Sequence, residues 1–262
     1  MPAPTAQPAD RARPAGRRAM RARAELSTAL TAGRTTFPVL RSAPPLTLRQ
    51  TGPRSVHLVS TAAGPLGGDH LELDLDIAPG TTVELASVAS TLVLPGQGES
   101  RMLITACVGA GATLRFTPEP TVLAAGCTHR IEVRLELARE ARVLWREEIV
   151  FGRYGERPGR CHARFDATLD GEPLLRQEFT VGDPALDTSP AVYGDARCVG
   201  TTLITGPSPA ARVIIADGVA ALPLTAPVTL VSALAPDAVA LRARLEWAEA
   251  AVLTGHSPPS PA

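Results

Sequence analysis

Residues 71–87 read LELDLDIAPGTTVELAS, and the same pattern returns at 102–118 as MLITACVGAGATLRFTP and at 131–147 as IEVRLELAREARVLWRE. Each stretch holds a strand of alternating apolar and polar residues, a short turn and a second strand. The first copy is offset from the second by 31 residues, and the second from the third by 29. Supersecondary units that repeat at such an interval bury their apolar faces by stacking on one another.

The repeat therefore predicts a mainly β protein with stacked, solenoid-like or layered strands. Because side chains along a strand point to opposite faces in turn, Leu71, Leu73 and Leu75 share one buried face. A weaker fourth copy begins at Phe165, turns at 170–173 and continues into a second strand. Chance similarity among ordinary β-hairpins is the alternative explanation, since all hairpins show this alternation.

One α-helix is predicted, near the C-terminus over about 236–253. Pro236 and Asp237 suit the start of a helix, and Gly255 suits its stop. Its apolar stripe is formed by Leu241, Leu245, Ala248 and Val252. The remaining predicted strands cover 37–49, 54–60, 161–181, 200–205, 211–216 and 226–233, and a long loop is predicted at 182–199.

The chain is predicted to fold as a single β-rich domain over 23–255, because no linker-like segment divides it. Residues 1–22, rich in Arg, Pro and Ala, are predicted to form a disordered tail, and 256–262 a Pro-rich tail. No apolar segment follows the N-terminal arginines, so a secretory signal is not expected. No run of about 18 apolar residues occurs, so no transmembrane helix is predicted.

The composition excludes several classes of function. All 26 basic residues are arginine, and 26 acidic residues balance them. Without lysine there is no Schiff-base lysine, no Walker A lysine and no lysine general base. A net charge of zero gives no indication of a nucleic acid or an anionic membrane as partner. The four cysteines form no Cys-x-x-Cys pair, so reduced thiols and a cytoplasmic location are expected.

The strongest local signal is GPLGGD at 64–69, directly before the first repeated strand. Gly67 and Gly68 allow the backbone to turn sharply or another segment to approach closely. Asp69 then stands at the mouth of the strand. Its carboxylate either makes a structural Asx-type hydrogen bond or contacts a cation.

The usual enzyme motifs are absent: there is no G-x-S-x-G, no H-E-x-x-H and no S-x-x-K. Cys127 and His129 would share one face of an extended chain, so they are either ligands of a soft metal or a buried thiol beside a surface histidine. Cys161 and His162 are adjacent and are expected on opposite faces of a strand. A metallohydrolase built from such scattered ligands is disfavoured.

Acidic residues are frequent along the predicted strands, among them Glu147, Glu148 and Glu178. Most are expected to lie on solvated faces. In a stacked β structure, however, some strand positions face a cavity or a partner. Carboxylates that line a wet interior would offer several weak sites to a divalent ion, an arrangement that suits transit better than storage.

Several segments together resemble the UreD (UreH) family of urease accessory proteins. They are GPLGGD at 64–69 with the strand that follows, REEIVFGRYGERPG at 146–159 and DGEPLLRQEF at 170–179. The resemblance covers roughly 35–253, with the C-terminal helix in a matching place. The chain departs from the family pattern at 90–94, where it has neither the usual lysine nor an aromatic residue.

The resemblance implies a non-enzymatic, all-β maturation factor that acts as a chaperone for urease. It implies binding to the accessory protein UreF, to the GTPase UreG and to apo-urease, with nickel passing through an internal channel and no tightly bound cofactor. Through the matching motifs, Asp69 and Glu178 are assigned as weak metal-transit candidates, with Gly67 and Gly68 as a structural motif. The alternative is a non-enzymatic β-solenoid binding module without a metal role, which the repeat supports equally well.

Overall fold

Strands account for most of the chain. A computed structural model describes residues 17–206, 213–224 and 227–255. In chain order the strands are β1 (Arg21–Thr31), β2 (Arg34–Arg41), β3 (Leu46–Gln50), β4 (Ser55–Ser60), β5 (His70–Ile77), β6 (Thr82–Ser87), β7 (Thr91–Val93), β8 (Ser100–Val108), β9 (Thr113–Thr117), β10 (Thr121–Leu123), β11 (Thr128–Leu137), β12 (Arg142–Val150), β13 (Arg160–Leu169), β14 (Glu172–Val181), β15 (Cys198–Thr205), β16 (Ile214–Ala216), β17 (Val219–Pro223) and β18 (Val228–Ala235). The helices are α1 (Pro184–Asp187) and α2 (Ala238–Thr254).

These strands form two sheets. Sheet A has seven strands in the order β14-β13-β11-β8-β5-β1-β2. Sheet B has eleven, in the order β16-β17-β18-β15-β12-β9-β6-β4-β3, with β7 and β10 paired beside β12. The inward side chains of both sheets form one continuous core, which is built chiefly of Leu, Val, Ile and Ala.

The three sequence repeats are three stacked coils. In sheet A, Leu71 of β5 pairs with Met102 of β8, which in turn pairs with Ile131 of β11, all in parallel. The second strands β6, β9 and β12 pair in parallel in sheet B. The offsets of 31 and 29 residues are therefore the lengths of successive coils, and the predicted stacked, solenoid-like β fold is confirmed.

Few aromatic residues are available to the core, and several of them cluster. The buried ring of Trp145 lies 4.1 Å from Phe116, measured between ring centroids, and 6.0 Å from Phe165. Since Trp145 and Phe116 belong to sheet B and Phe165 to sheet A, this contact fixes the two sheets to each other.

The predicted fourth copy follows the repeat for only one strand. Phe165 of β13 pairs in parallel with Val133 of β11, as a fourth coil requires. The chain then turns at Asp170 and Gly171, both with positive φ, and β14 returns antiparallel to β13 within sheet A. Turns of this kind match the twist of a hairpin, so the chain does not cross to sheet B and the stack ends here.

Helix α2 covers part of the outer face of sheet B, against β15, β17 and β18. Asp237 caps its start by accepting from the N–H of Ala240, and Gly255 ends it in the left-handed region. All four residues of the predicted apolar stripe are buried, which confirms the predicted C-terminal helix. The predicted loop at 182–199 also contains the single turn α1.

Other sequence expectations differ in detail. Within the predicted tail 1–22, residues 17–22 are described, and Arg21 already belongs to β1, whose alternate side chains are buried. The predicted strand 37–49 is two strands, β2 and β3, and 161–181 is the β13–β14 hairpin. The tail at 256–262 lies outside the described residues. No described helix has the length and apolarity to cross a membrane.

Candidate functional site

The carboxylate of Asp69 binds the N-terminal segment to the loop at 64–69. Its oxygens accept two hydrogen bonds from Arg17, each 2.9 Å, one from the N–H of Met20 at 2.8 Å and one from the N–H of Leu66 at 2.9 Å. Asp69 is 1% exposed. Burial raises its pKa, but these donors outweigh that effect and hold the pKa below its usual value.

The two glycines before Asp69 are required by close packing and by backbone conformation. A Cβ on Gly67 would lie 2.5 Å from the carbonyl carbon of Gly96 and 2.7 Å from the carbonyl oxygen of Gly98. Gly68 has a φ of +88°, in the region that favours glycine. The segment that approaches Gly67 closely is the loop that precedes β8, and a close approach of this kind was one of the two roles predicted for the glycine pair.

Replacing Gly67 by alanine is expected to lower the free energy of unfolding by about 1–3 kcal/mol, because the added methyl group overlaps backbone atoms that cannot rotate away. Gly52→Ala is the matched control, since its Cβ would meet Ser55 at an ordinary 3.4 Å; its expected effect is within about 0.5 kcal/mol. Chemical denaturation of both variants measures this difference. Equal stability of the two would contradict the packing argument.

Glu178 lies far from Asp69. It is exposed on β14, where its carboxylate accepts from Arg164 at 2.8 Å and lies 3.5 Å from the ring nitrogen of His162. Strands β13, β11 and β8 separate β14 from β5 in sheet A. The two strands are thus about 19 Å apart across the sheet, given a strand spacing of ~4.8 Å. The structure does not bring the two residues together, and each carboxylate is paired with an arginine.

His129 and Cys127 are both buried, each 2% exposed. The expectation of a surface histidine is wrong: Nδ1 of His129 lies 2.8 Å from the hydroxyl of Ser100, and burial lowers its pKa to about 4. Burial raises the pKa of Cys127 to about 11, so its thiol stays protonated. Cys161 points inward and His162 outward, on opposite faces as predicted.

A cavity of about 110 Å³ lies between the two sheets, at the end of the coils where the loop at 64–69 closes them. Apolar side chains provide most of its wall. Four ionisable residues interrupt this apolar lining: Glu119, His129, Glu147 and Glu148.

Glu147 is the carboxylate that enters the space between the sheets. It occupies an inward position of β12 between Trp145 and Ile149, both buried in the core. Among the described residues no hydrogen bond or neighbouring charge shifts the pKa of its carboxyl group; desolvation alone does. Glu147 is half-buried, and desolvation by its apolar surroundings raises the pKa of its carboxyl group to about 7.

The strand pairing of sheet B is interrupted beside the cavity. Strand β12 pairs with β9 as far as Trp145 and with β10 only from Ile149, because Pro118 and Pro120 lack the N–H groups that a continuous ladder needs. Glu119 and Glu148 stand on either side of this interruption. The side chain of Glu148 lies on the same face of β12 as Arg146, toward α2 and opposite Glu147.

Arg242 of α2 bridges Glu119 and Glu148. Its Nε donates to Oε1 of Glu148 at 2.6 Å, and its two terminal nitrogens lie 3.4 Å from the carboxylate of Glu119. The side chain of Glu148 is 0% exposed, and its Oε2 has no hydrogen-bond partner among the residues that the structure describes. Burial raises the pKa of Glu148, and Arg242 opposes this shift.

A second buried ion pair fixes α2 to β12. Arg146 donates to both oxygens of Glu249, at 2.8 and 2.5 Å, and the hydroxyl of Thr202 donates to the same carboxylate at 2.7 Å. The side chains of Arg146 and Glu249 are 3% and 5% exposed. Their exposed neighbour Glu246 completes the group, 3.4 Å from Arg146.

Sequence reasoning missed these buried charges. The signal was present in VLWREEIV at 143–150, where three consecutive charges interrupt an otherwise apolar strand. Glu147 and Glu148 were grouped with the solvated acidic residues instead. Within the described residues, no group of three or more His, Cys, Asp and Glu side chains has an arrangement that would hold a metal ion.

Known proteins match this chain over nearly its whole length. The model of the family described as UreD urease accessory protein matches residues 20–262, which include both sheets, the cavity and α2. The chain belongs to the UreD family. The match confirms the resemblance drawn from the sequence, and it gives the chain a role in urease maturation.

Individual UreD relatives agree over most of their length. The chain is 40% identical to the urease accessory protein UreD of Frankia casuarinae, with 88% of this chain and 89% of the relative covered. It is 40% identical to that of a Parafrankia species, with 91% of each covered, and 38% identical to that of Streptomyces avermitilis, with 82% and 90% covered. All are named accessory proteins, not enzymes, in agreement with the predicted non-enzymatic role.

Proposed function

We propose that the chain is a cytoplasmic scaffold that binds apo-urease together with other accessory proteins and helps to insert nickel into the urease metallocentre. Its expected partners are UreF and the GTPase UreG, which would supply the nucleotide chemistry. Nickel would be cargo in transit and not a resident cofactor. The observation that carries this proposal, beyond the family, is the carboxylate-bearing cavity between the sheets.

Glu147 is the central residue of this proposal. An unpaired carboxylate in a largely apolar cavity offers oxygen ligands to a divalent cation without a fixed competitor. A single such group gives weak, reversible contact, which suits passage of an ion. That Asp69 and Glu178 bind nickel in transit remains a prediction. Each carboxylate would have to release its arginine partner before it could bind the cation.

The test is the nickel content and activity of urease co-produced with the other accessory proteins at limiting nickel. Without this chain, urease is expected to be folded but nickel-poor and inactive. Glu147→Gln is expected to lower the nickel content by about fivefold, the ratio that corresponds to ~1 kcal/mol. Glu172→Gln, at an exposed position of β14, is the matched control and should behave as wild type.

Misfolding would not explain a loss in the Glu147→Gln variant. The pKa of Glu147 is raised on folding, so the burial penalty of its charged form is absent below the unfolded pKa and fully present above about 7. The glutamine variant should therefore be at least as stable as wild type above pH 7. Urease that fills with nickel equally well without the chain would contradict the proposed function and leave the binding-module alternative.

A further inference from the structure

Sheet B is longer than sheet A at one end of the stack. Beyond the third coil, which is formed by β11 and β12, sheet A continues with β13 and β14. Sheet B continues on the same side with β15, β18, β17 and β16. Layer for layer, β15 lies opposite β13 and β18 lies opposite β14. Strands β17 and β16 therefore extend past the edge of sheet A.

The side chains of these two strands show that a covering layer is missing. Leu203, Leu230 and Leu222 form one row across β15, β18 and β17, and Val213, directly before β16, continues it. Leu203 belongs to the core between the sheets and is 1% exposed, whereas Leu222 is 42% and Val213 59% exposed. In the next row, Ile215 of β16 is 76% exposed. The face that is core beneath sheet A thus becomes an open apolar shelf, which consists of Val213, Ile215, Ala220 and Leu222.

The opposite face of the same strands is covered in the ordinary way. Ile214 and Ala221 point away from the shelf and pack in the cluster that α2 buries. The exposure of the shelf is therefore not a general property of β16 and β17. It is confined to the face that sheet A does not reach.

Beside the shelf, β14 presents a free edge. It pairs with β13 on one side, and no described segment forms backbone hydrogen bonds with the other side over 172–179. Its inward residues Leu175 and Phe179 are only half-buried, because nothing flanks them on that side. The unpaired N–H and C=O groups of an edge strand are a template for a further strand, and Pro173 and the charges on β14 restrict which strand can pair.

We infer that the free edge of β14 and the shelf together bind an extended segment of a partner protein, which adds to sheet A as its next strand. The main chain of this segment pairs with β14, and every second side chain packs on Val213, Ile215 and Leu222. The segment must therefore alternate apolar and polar residues. This inference goes beyond the proposed function, because it assigns a docking surface whose chemistry requires no metal.

Arg176 indicates the charge of the partner segment. It is exposed on the outer face of β14. Asp166, directly across from it on β13, pairs with Arg164 instead, at 2.8 Å. A carboxylate on the added strand, across from Arg176 on its other side, would complete an ion pair. The segment is thus expected to carry an acidic residue among its outward positions.

A second copy of the chain fits this site poorly. If β14 paired antiparallel with β14 of a second copy, the inward faces of both strands would lie on the same side of the joined sheet. The β18 strand of that copy lies opposite its own β14, so it would enter the space that β17 of this chain occupies. A single extended segment has no second sheet and avoids this overlap.

A synthetic peptide tests the site on the purified full chain. The probe has nine residues, in which valine alternates with threonine and the central threonine is replaced by glutamate. Fluorescence anisotropy of the labelled peptide is expected to show saturable binding of one peptide per chain. Two versions carry N-methyl groups, one on the valine amides and one on the others. Only the version whose methyl groups face β14 should lose binding, by at least about tenfold, because it loses its backbone donors.

Variants of the chain locate the bound peptide. Ile215→Asp is expected to weaken binding by about tenfold, because it removes apolar area that the peptide covers. Val239→Asp is the matched control, since Val239 is also an exposed apolar residue but lies on α2; it should bind as wild type does. If Ile215→Asp fails to fold, Ile215→Thr replaces it, with an expected loss of roughly threefold. Arg176→Glu should weaken binding of the glutamate peptide and strengthen binding of a peptide with arginine at its centre.

Several outcomes would overturn the inference. One is a folded chain without saturable binding below about 1 mM peptide. Another is a loss that is equal for Ile215→Asp and Val239→Asp. A third is a dimer in sedimentation velocity that Ile215→Asp dissociates, which would make the shelf an interface between copies. The assay contains neither metal nor urease, so its failure leaves the proposed function standing, and a failure of nickel insertion leaves the peptide result standing.

Discussion

Arg146→Met is expected to lower the free energy of unfolding by about 3–5 kcal/mol, the usual effect of removing one partner of a buried ion pair. The variant leaves the carboxylate of Glu249 inside the interface between α2 and sheet B, with Thr202 as its remaining short hydrogen-bond donor. Both side chains are almost fully buried, so water cannot replace the lost guanidinium.

Urea denaturation of Arg146→Met and of Arg164→Met measures this effect. Arg164 also pairs with two carboxylates, but on the solvent face of sheet A, so its loss should change stability by less than about 1 kcal/mol. In the double variant Arg146→Met with Glu249→Leu, most of the stability should return, since neither charge remains to be desolvated. A single variant as stable as wild type would show that α2 does not need this pair.

Asp69→Ala is expected to lower the free energy of unfolding by about 2–4 kcal/mol. The variant leaves the N–H groups of Leu66 and Met20 without their acceptor, and it frees Arg17 and the segment that leads into β1. Arg17→Ala should have a smaller effect, of about 1 kcal/mol, because Arg17 is 41% exposed and the two backbone donors would remain bound.

The pH dependence of stability distinguishes a charged Asp69 from a merely well-packed one. Its pKa is lowered on folding, so its contribution is present above the unfolded pKa of about 3.9 and is lost as the pH falls through the folded value. The difference between wild type and Asp69→Ala should therefore be constant from pH 5 to 8 and shrink below about pH 4. Asp74→Ala, at an outward position of β5, the strand that follows Asp69, serves as control. A difference independent of pH would mean that the charge is not what stabilises the loop.

The stacked coils were predictable because one physical rule determines them locally. Period-two alternation in 71–87 specifies which face of each strand is buried, and its recurrence specifies what covers that face. Helix α2 was predictable for the same reason, from an apolar stripe bounded by Asp237 and Gly255. Strand β1 was missed because its inward residues begin with Ala22 and Ala24, too small to stand out among arginines.

The site was less predictable because it depends on contacts between distant segments. Arg146 and Glu249 are 103 residues apart, and nothing near either one indicates that a helix will bury it. The environment of Glu147 likewise depends on sheet A, because its packing against sheet B makes this strand position part of a cavity wall. The sequence left Asp69 with either a structural or a cation-binding role. Its partner Arg17 lies in the segment predicted to be a disordered tail.

The in-register stacking of the three coils gives this fold a discrete unit of size, the single coil. Gain or loss of one whole coil, of about 30 residues, would preserve every pairing on both sides of the change, because each strand would meet a neighbour with the same alternation. The gap between the sheets would then lengthen or shorten in steps of ~4.8 Å, the spacing between strands. The length of this gap can therefore change only by whole coils. An insertion or deletion of a few residues within a coil would instead break the strand register.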